Sequence, residues 1–179
     1  MKFKKVFQLL IDFFERERID YALIGAFALK AYGYIRATQD VDFIARENDQ
    51  KDIITNIESL GFETIYRSSG YSNHVHPLSG LGRIDFVYVK GDTADSIFKE
   101  SRRLLVFSAL TLPVVKPEHI AALKVFAMKN NPERALREMA DIKELLKLND
   151  INLKEVQGYF EKYGQMDRYY EIIEKKQKK

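Results

Sequence analysis

After Lys116-Pro117 the hydrophobic pattern changes period, and this constrains the fold more than any other feature of the chain. Before that point, short apolar runs ending at glycines alternate with amphipathic stretches. After it, apolar residues recur at helical spacing and no segment reads as a strand. The pattern predicts an α/β (α+β) part over 1–116, with strands in an order that is not a simple βαβ repeat. An all-helical part is expected over 117–179.

Phe3, Val6, Phe7, Leu10, Ile11 and Phe14 mark a helix with one apolar face over 3–18. Tyr21-Ala22-Leu23-Ile24 reads as a buried strand ending at Gly25, and 26–32 as a helix closed by Gly33. A strand follows over 40–45, then a helix over 49–60 closed by Gly61. Further strands are expected at Phe62–Tyr66, Tyr71–Val75 and Arg83–Val89, with an edge pair at Leu104–Phe107 and Leu112–Val115. Helices are expected over 117–130, 132–148, 152–162 and 164–176.

Composition narrows the function classes. The 179 residues are 46% hydrophobic, enough for a proper core, so disorder is not expected. A net charge of +3 permits a nucleic-acid partner without demanding one. The absence of cysteine removes disulfides, thiolate metal sites and a cysteine nucleophile. No apolar run approaches the length of a membrane span. Met1-Lys2-Phe3-Lys4-Lys5 leads into an amphipathic stretch containing acids, not into a signal-peptide core, so a cytoplasmic protein is expected.

The chemistry concentrates at Arg36-Ala37-Thr38-Gln39-Asp40-Val41-Asp42. In a strand, residues two apart share a face, so Asp40 and Asp42 project together while Val41 and Phe43 point into the core. Paired carboxylates repel unless a cation lies between them, and a hard cation such as Mg²⁺ suits oxygen donors. Asp85, within Ile84-Asp85-Phe86-Val87-Tyr88, is a third acid among apolar neighbours and is costly there unless paired or ligating. Gly25 and Ala26 stand where a strand turns into a helix, where backbone N–H groups attract phosphate. Arg36 offers a phosphate contact or is a surface residue of a turn. Thr38 offers a hydroxyl bond to the backbone. Lys124 sits in a helix that is apolar nearly all round, so it either snorkels or meets an anion. Asp141 lies four residues after Arg137, the spacing of an ordinary helix pair. His74 and His76 could share a strand face, a weak zinc signal without a third ligand. Lys175, Lys176, Lys178 and Lys179 read as a helix end whose cations suit its dipole.

The run Leu23-Ile24-Gly25-Ala26-Phe27-Ala28-Leu29, then Gly33, Arg36-x-Thr38-x-Asp40-x-Asp42 and Asp85, resembles the nucleotidyltransferase superfamily, which has the fold of DNA polymerase beta. In particular it resembles the AbiEii-type toxins of type IV toxin–antitoxin systems. Lys124 and Asp141 match that family's later motifs. The resemblance implies a mixed sheet flanked by helices, followed by a helical C-terminal part. It implies transfer of a nucleoside monophosphate from a nucleoside triphosphate to an acceptor, RNA such as tRNA, with a cognate antitoxin as partner. It further implies that Asp40, Asp42 and Asp85 hold Mg²⁺ or Mn²⁺, with catalytic roles for all three and for Lys124 and Asp141. Gly25, Ala26, Arg36, Thr38 and Lys124 would bind the nucleotide. The superfamily usually has Ser or Gly where this chain has Ala26, so a hydroxyl contact to phosphate is missing while the backbone N–H groups remain. Two alternatives within the resemblance are transfer to a small molecule, as in lincosamide-modifying relatives, and a non-catalytic antitoxin or binding module.

Overall fold

The computed structural model describes residues 2–38, 40–78, 82–106 and 110–177, with side chains described from 7 to 174. Gln39 of the acidic segment and Phe107 of the expected edge strand lie outside the described residues. So do the side chains of Phe3, Val6, Lys175 and Lys176, and Lys178 and Lys179 altogether. The chain divides into two compact units, one of residues 1–31 and 35–115 and the other of 32–34 and 116–179.

The first unit is built on a seven-stranded sheet. Its elements in chain order are α1 (Lys2–Glu17), β1 (Tyr21–Ile24), α2 (Gly25–Ala31), β2 (Asp40–Arg46), α3 (Gln50–Ser59), β3 (Glu63–Arg67), β4 (Tyr71–Val75), β5 (Arg83–Val89), α4 (Gly91–Glu100), β6 (Arg102–Val106) and β7 (Leu110–Val114). Across the sheet the order is β3-β4-β5-β2-β1-β7-β6. Strands β2 and β5 run parallel, as do β1 and β7, and the other neighbours run antiparallel. A parallel neighbour requires a crossover, and α3 with the β3–β4 hairpin supplies the one between β2 and β5.

Strands β2 and β5 divide their residues by parity. Val41, Phe43, Ile84, Phe86 and Tyr88 are buried, while Asp40, Asp42, Arg83 and Asp85 are half-buried. The buried parity packs into an aromatic core. Phe43 stacks on Phe86 at 5.5 Å between ring centroids, and Phe7 stacks on Phe43 at 5.6 Å. Phe14, on the same apolar face of α1, meets both Phe43 and Phe86 edge-on. Offset and edge-on pairs of this kind are worth about 0.5–1.5 kcal/mol each beyond the area they bury. That core fixes which way β2 and β5 face, and so turns the other parity outward.

The sequence pattern places no element over Gly91–Glu100, where α4 forms. His74 and His76 do not share a strand face, because β4 ends at Val75. His74 is buried on the core side, while the His76 ring meets Phe62 edge-on and its Nδ1 accepts the Leu78 N–H.

The second unit is helical in its described residues: α5 (Pro117–Asn130), α6 (Ala135–Leu145), α7 (Leu153–Lys162) and α8 (Met166–Gln177). Pro117 opens α5 at a position where its missing N–H costs nothing. Asn152 caps α7 by accepting the Glu155 N–H, and its own N–H donates to Glu118 Oε1 on α5 at 2.7 Å. Lys116 and Tyr159 both reach Glu155 Oε1, at 2.8 and 2.9 Å, which ties the start of α5 to α7. Among the described residues no helix is long and apolar enough to cross a membrane.

Candidate active site

Three carboxylates stand on the outward face of the first unit's sheet. Asp40 and Asp42 project from β2, and parallel register sets Asp42 opposite Asp85 and Asp40 opposite Arg83 on β5. Neighbouring strands lie about 4.8 Å apart, so the acids of β2 and β5 are adjacent on one surface. Antiparallel register on the other side of β2 sets Ile24 opposite Asp42, which brings the start of α2 against the acids. A Cβ at Gly25 would stand only 2.0 Å from Asp42 Oδ2, and Gly25 has φ +65°. Only glycine meets both requirements.

Asp85 is held from two sides. Its Oδ1 accepts from Asn73 Nδ2 at 2.8 Å and from Arg83 Nε at 2.7 Å. Asn73 sits opposite Asp85 on β4. The hydrogen bond to Asp85 raises the Arg83 pKa; burial lowers it, and the charges of Asp85, Asp40 and Asp42 add to the rise. Arg83 is thus a cation seated on a face that carries three acids. Thr38 lies at the entry to β2, with its Oγ1 3.2 Å from the Asp40 N–H, the hydroxyl-to-backbone bond its position suggests. Arg36, two residues earlier, is half-buried.

In kind, the donors are those a hard divalent cation takes. They are carboxylate oxygens, and the missing Cβ of Gly25 is what lets Asp42 close up against the start of α2. The carboxylates are not gathered round one point: among the described residues no group of three His, Asp or Glu side chains is arranged to hold an ion. Asp85 leans onto Arg83 instead.

Lys124 and Asp141 come together in the second unit. Lys124 Nζ donates to Asp141 Oδ2 at 2.5 Å and to Glu138 Oε2 at 2.8 Å. All three side chains are buried. Lys124 therefore neither snorkels nor waits for a ligand to supply its anion, since its own helix pair supplies two. Glu138 is also held by Arg134, whose Nη2 is 2.7 Å from Oε1. Burial pushes the Glu138 carboxyl up, but Lys124 and Arg134 together outweigh this and hold it below its usual value. Asp141 takes Lys124 across the helix pair, while Arg137 Nε lies 3.8 Å from Glu138. Removing one partner of a buried pair of this kind costs about 3–5 kcal/mol, because the other charge is left uncompensated.

Three residues of these clusters belong to no sequence motif. Arg83 and Asn73 matter through strand register, and Glu138 through the packing of α6 on α5. The one available hint was that Arg83 precedes Asp85 by two and so shares its face.

No protein-family model matches the sequence, and no curated protein matches it. Solved structures match the fold. The solution structure of the antibiotic-resistance factor ANT(2'')-Ia aligns with a TM-score of 0.70 at 10% identity, covering 98% of this chain and 97% of that one. A crystal structure of the same factor in complex with adenylyl-2''-tobramycin aligns with a TM-score of 0.68. The lincosamide antibiotic adenylyltransferase LnuA, lincomycin-bound, aligns with a TM-score of 0.53 at 16% identity, covering 80% of this chain and 95% of that one. An antigenic nucleotidyltransferase-like protein from Paracoccidioides brasiliensis aligns with a TM-score of 0.58 at 16% identity, covering 94% and 90%. At these identities the likeness is one of fold: the chain has the mixed α/β nucleotidyltransferase fold.

Proposed function

We propose that the protein is a metal-dependent nucleotidyltransferase that moves a nucleoside monophosphate from a nucleoside triphosphate to an acceptor hydroxyl. The observation that carries this is the in-register acid face, with Asp42 opposite Asp85, Asp40 two residues away and Gly25 against Asp42. Asp40, Asp42 and Asp85 would hold Mg²⁺ or Mn²⁺, which when bound neutralises the triphosphate and orients it for in-line attack. Gly25, Ala26, Arg36 and Thr38 would position the nucleotide, a role supported by Gly25 standing against Asp42 and by Thr38 bonding the Asp40 backbone. The acceptor oxygen forms a bond to the α-phosphorus as the bond to the β-phosphate's bridging oxygen breaks. Pyrophosphate leaves, and a carboxylate of the acid face draws off the hydroxyl proton. Positioning and charge stabilisation would supply most of the rate. Lys124 and Asp141, bound to each other, act on this proposal through the charge they keep balanced in the helical unit.

A small molecule bearing hydroxyls is the acceptor this proposal favours. It is supported by the whole-length fold likeness to ANT(2'')-Ia, and by LnuA among the similar structures. RNA such as tRNA, a toxin-type role and a cognate antitoxin form the second reading, supported by the resemblance of the Arg36–Asp42 segment.

The test is binding followed by transfer. Wild type should bind ATP with Mg²⁺, and Asp42→Asn should lose at least about tenfold in that affinity, the lower part of the range for coupled ligands. Equal binding by the two proteins would refute the metal site. Labelled triphosphates offered with aminoglycosides and lincosamides, and separately with total tRNA, then identify the acceptor class. Intact Mg²⁺–nucleotide binding with no transfer to either would favour a non-catalytic binding module.

A further inference from the structure

Strand β3 is an edge of the sheet, and its pairing with β4 slips by one residue at Ile65. Thr64 stands opposite His74, but Tyr66 stands opposite Asn73. Residues directly opposite in a ladder share a face. Thr64 accordingly faces the core side, where its Oγ1 lies 3.0 Å from His74 Nδ1. Without the extra residue, Tyr66 would fall opposite Ser72, which is fully buried. The bulge turns Tyr66 onto the face of the acids instead, as bulges beside functional sites re-aim a side chain. One rung then runs across four strands: Asp42, Asp85, Asn73 and Tyr66. Tyr71 shares that face, two residues before Asn73 and diagonal to Tyr66 at about 7–8 Å. Tyr66 is 54% exposed and Tyr71 42%. At the far end of the rung, Gly25 brings the start of α2 against Asp42, so the acids lie between that helix start and the tyrosines. Asn73 and Arg83 both bond Asp85 Oδ1, and Oδ2 takes no bond among the described residues.

We propose that Tyr66, with Tyr71 beside it, is the floor of the acceptor subsite: one ring of the acceptor lies on Tyr66 while a hydroxyl reaches Asp85 Oδ2. The inference rests on the nucleotidyl-transfer proposal for the same face. It adds where the acceptor lies and what size it has. Two strand spacings separate Tyr66 from Asp85, roughly 10 Å between their backbones. A single sugar ring does not span that distance, whereas a glycoside of linked rings does. Tyrosine suits such a molecule, because its ring takes the apolar face of a sugar and its phenol bonds the hydroxyls at the rim. It also offers a large, rigid contact at low entropic cost. The floor is held at a fixed distance from the acids, because Asn73 bonds Asp85 at 2.8 Å and Ser72 bonds Tyr88 at 2.8 Å across β4 and β5. Tyr66 is thus a specificity residue that selects acceptors by length.

The experiment is calorimetric titration of the full chain, first with α,β-methylene-ATP and Mg²⁺ and then with the acceptor probe. Tobramycin and lincomycin are the probes, linked-ring members of the two small-molecule classes offered in the transfer assay. Methyl α-glucoside is the one-ring control. Wild type should bind at least one probe, and Tyr66→Leu should weaken that binding at least about fivefold, the size of one aromatic contact. Tyr66→Phe keeps the ring and should retain the binding. The control should not distinguish wild type from Tyr66→Leu. Should Tyr66→Leu not fold, wild type carries the test by NMR. Its Tyr66 ring resonances, identified by comparison with Tyr66→Phe, should move on saturation with the probe. Probe binding unchanged in Tyr66→Leu, or ring resonances that stay in place, overturns the floor. So does a wild type that binds the nucleotide analogue but neither probe, and then the transfer reading still stands. A wild type that does not bind the analogue takes the transfer reading and the subsite down together. Binding of tRNA that depends on Tyr66, with neither probe bound, overturns the small glycoside as the occupant.

Discussion

At Gly25 two physical demands meet in one residue. Its φ of +65° lies in the left-handed region, and its missing Cβ is what lets Asp42 approach. A side chain here would be strained by its own backbone and would push the carboxylate off the acid face. Gly25→Ala should therefore lower the unfolding free energy by about 1–3 kcal/mol in urea titrations. It should also weaken Mn²⁺ binding, because Asp42 must move. Gly70 is the control: it has no positive φ, and nothing lies within 4 Å of a Cβ built there. Gly70→Ala should stay within about 0.5 kcal/mol of wild type and bind Mn²⁺ unchanged. A Gly25→Ala protein as stable as Gly70→Ala would show that the turn and Asp42 rearrange freely.

The hairpin of β3 and β4 is fastened to β5 by a buried chain of polar groups. Thr64 Oγ1 lies 3.0 Å from His74 Nδ1, His74 Nε2 lies 2.8 Å from Ser72 Oγ, and Ser72 Oγ lies 2.8 Å from Tyr88 Oη. His74 is fully buried, and burial pulls its pKa from 6.5 down to about 4, against the opposing charge of Glu58. The imidazole is therefore neutral when folded and takes a proton more readily when unfolded. Stability from keeping it neutral is fully present above pH 6.5 and is lost as pH falls through about 4. The loss is at most about 3 kcal/mol. Unfolding free energies of wild type and His74→Gln, measured from neutral pH down to this window, should converge as pH falls. Parallel curves would mean that another group titrates there. The hairpin also shows what local pattern can and cannot encode. Strands β2, β4 and β5 were legible because their residues alternate between core and surface, so Asp40 and Asp42 on one face followed from spacing alone. Asp85 opposite Asp42, and Asn73 opposite Asp85, were not legible, because strand pairing across a crossover leaves no trace in either segment. Helix α4 leaves no clear period in the sequence because it buries only Ala94 and Ile97, too thin a stripe to show. Lys124 was legible as a charge needing an anion, but Glu138 was not, because the partner sits on the next helix.

Over the whole molecule, 29 Lys and Arg stand against 26 Asp and Glu, and many of the cations are already engaged. Lys124 is buried with Glu138 and Asp141, and Arg134 grips Glu138. Lys116 is held by Glu155, Arg83 by Asp85, and Arg46 by Asp20 and Asp95. A pI of about 8.9 therefore overstates the positive charge available to a polyanion. RNA affinity depends on cations free to replace condensed counterions, and each phosphate neutralised steepens the salt dependence. A protein making six to ten phosphate contacts loses about 10³–10⁵ in affinity between about 50 and 200 mM salt. This chain should lose less than about a hundredfold over that range, corresponding to roughly three phosphates. Anisotropy of labelled tRNA, titrated with the protein across the salt series, measures the slope directly. A shallow slope with weak binding agrees with a small hydroxyl-bearing acceptor. A loss of about a thousandfold or more would require a run of phosphate contacts and would return RNA to first place as the acceptor.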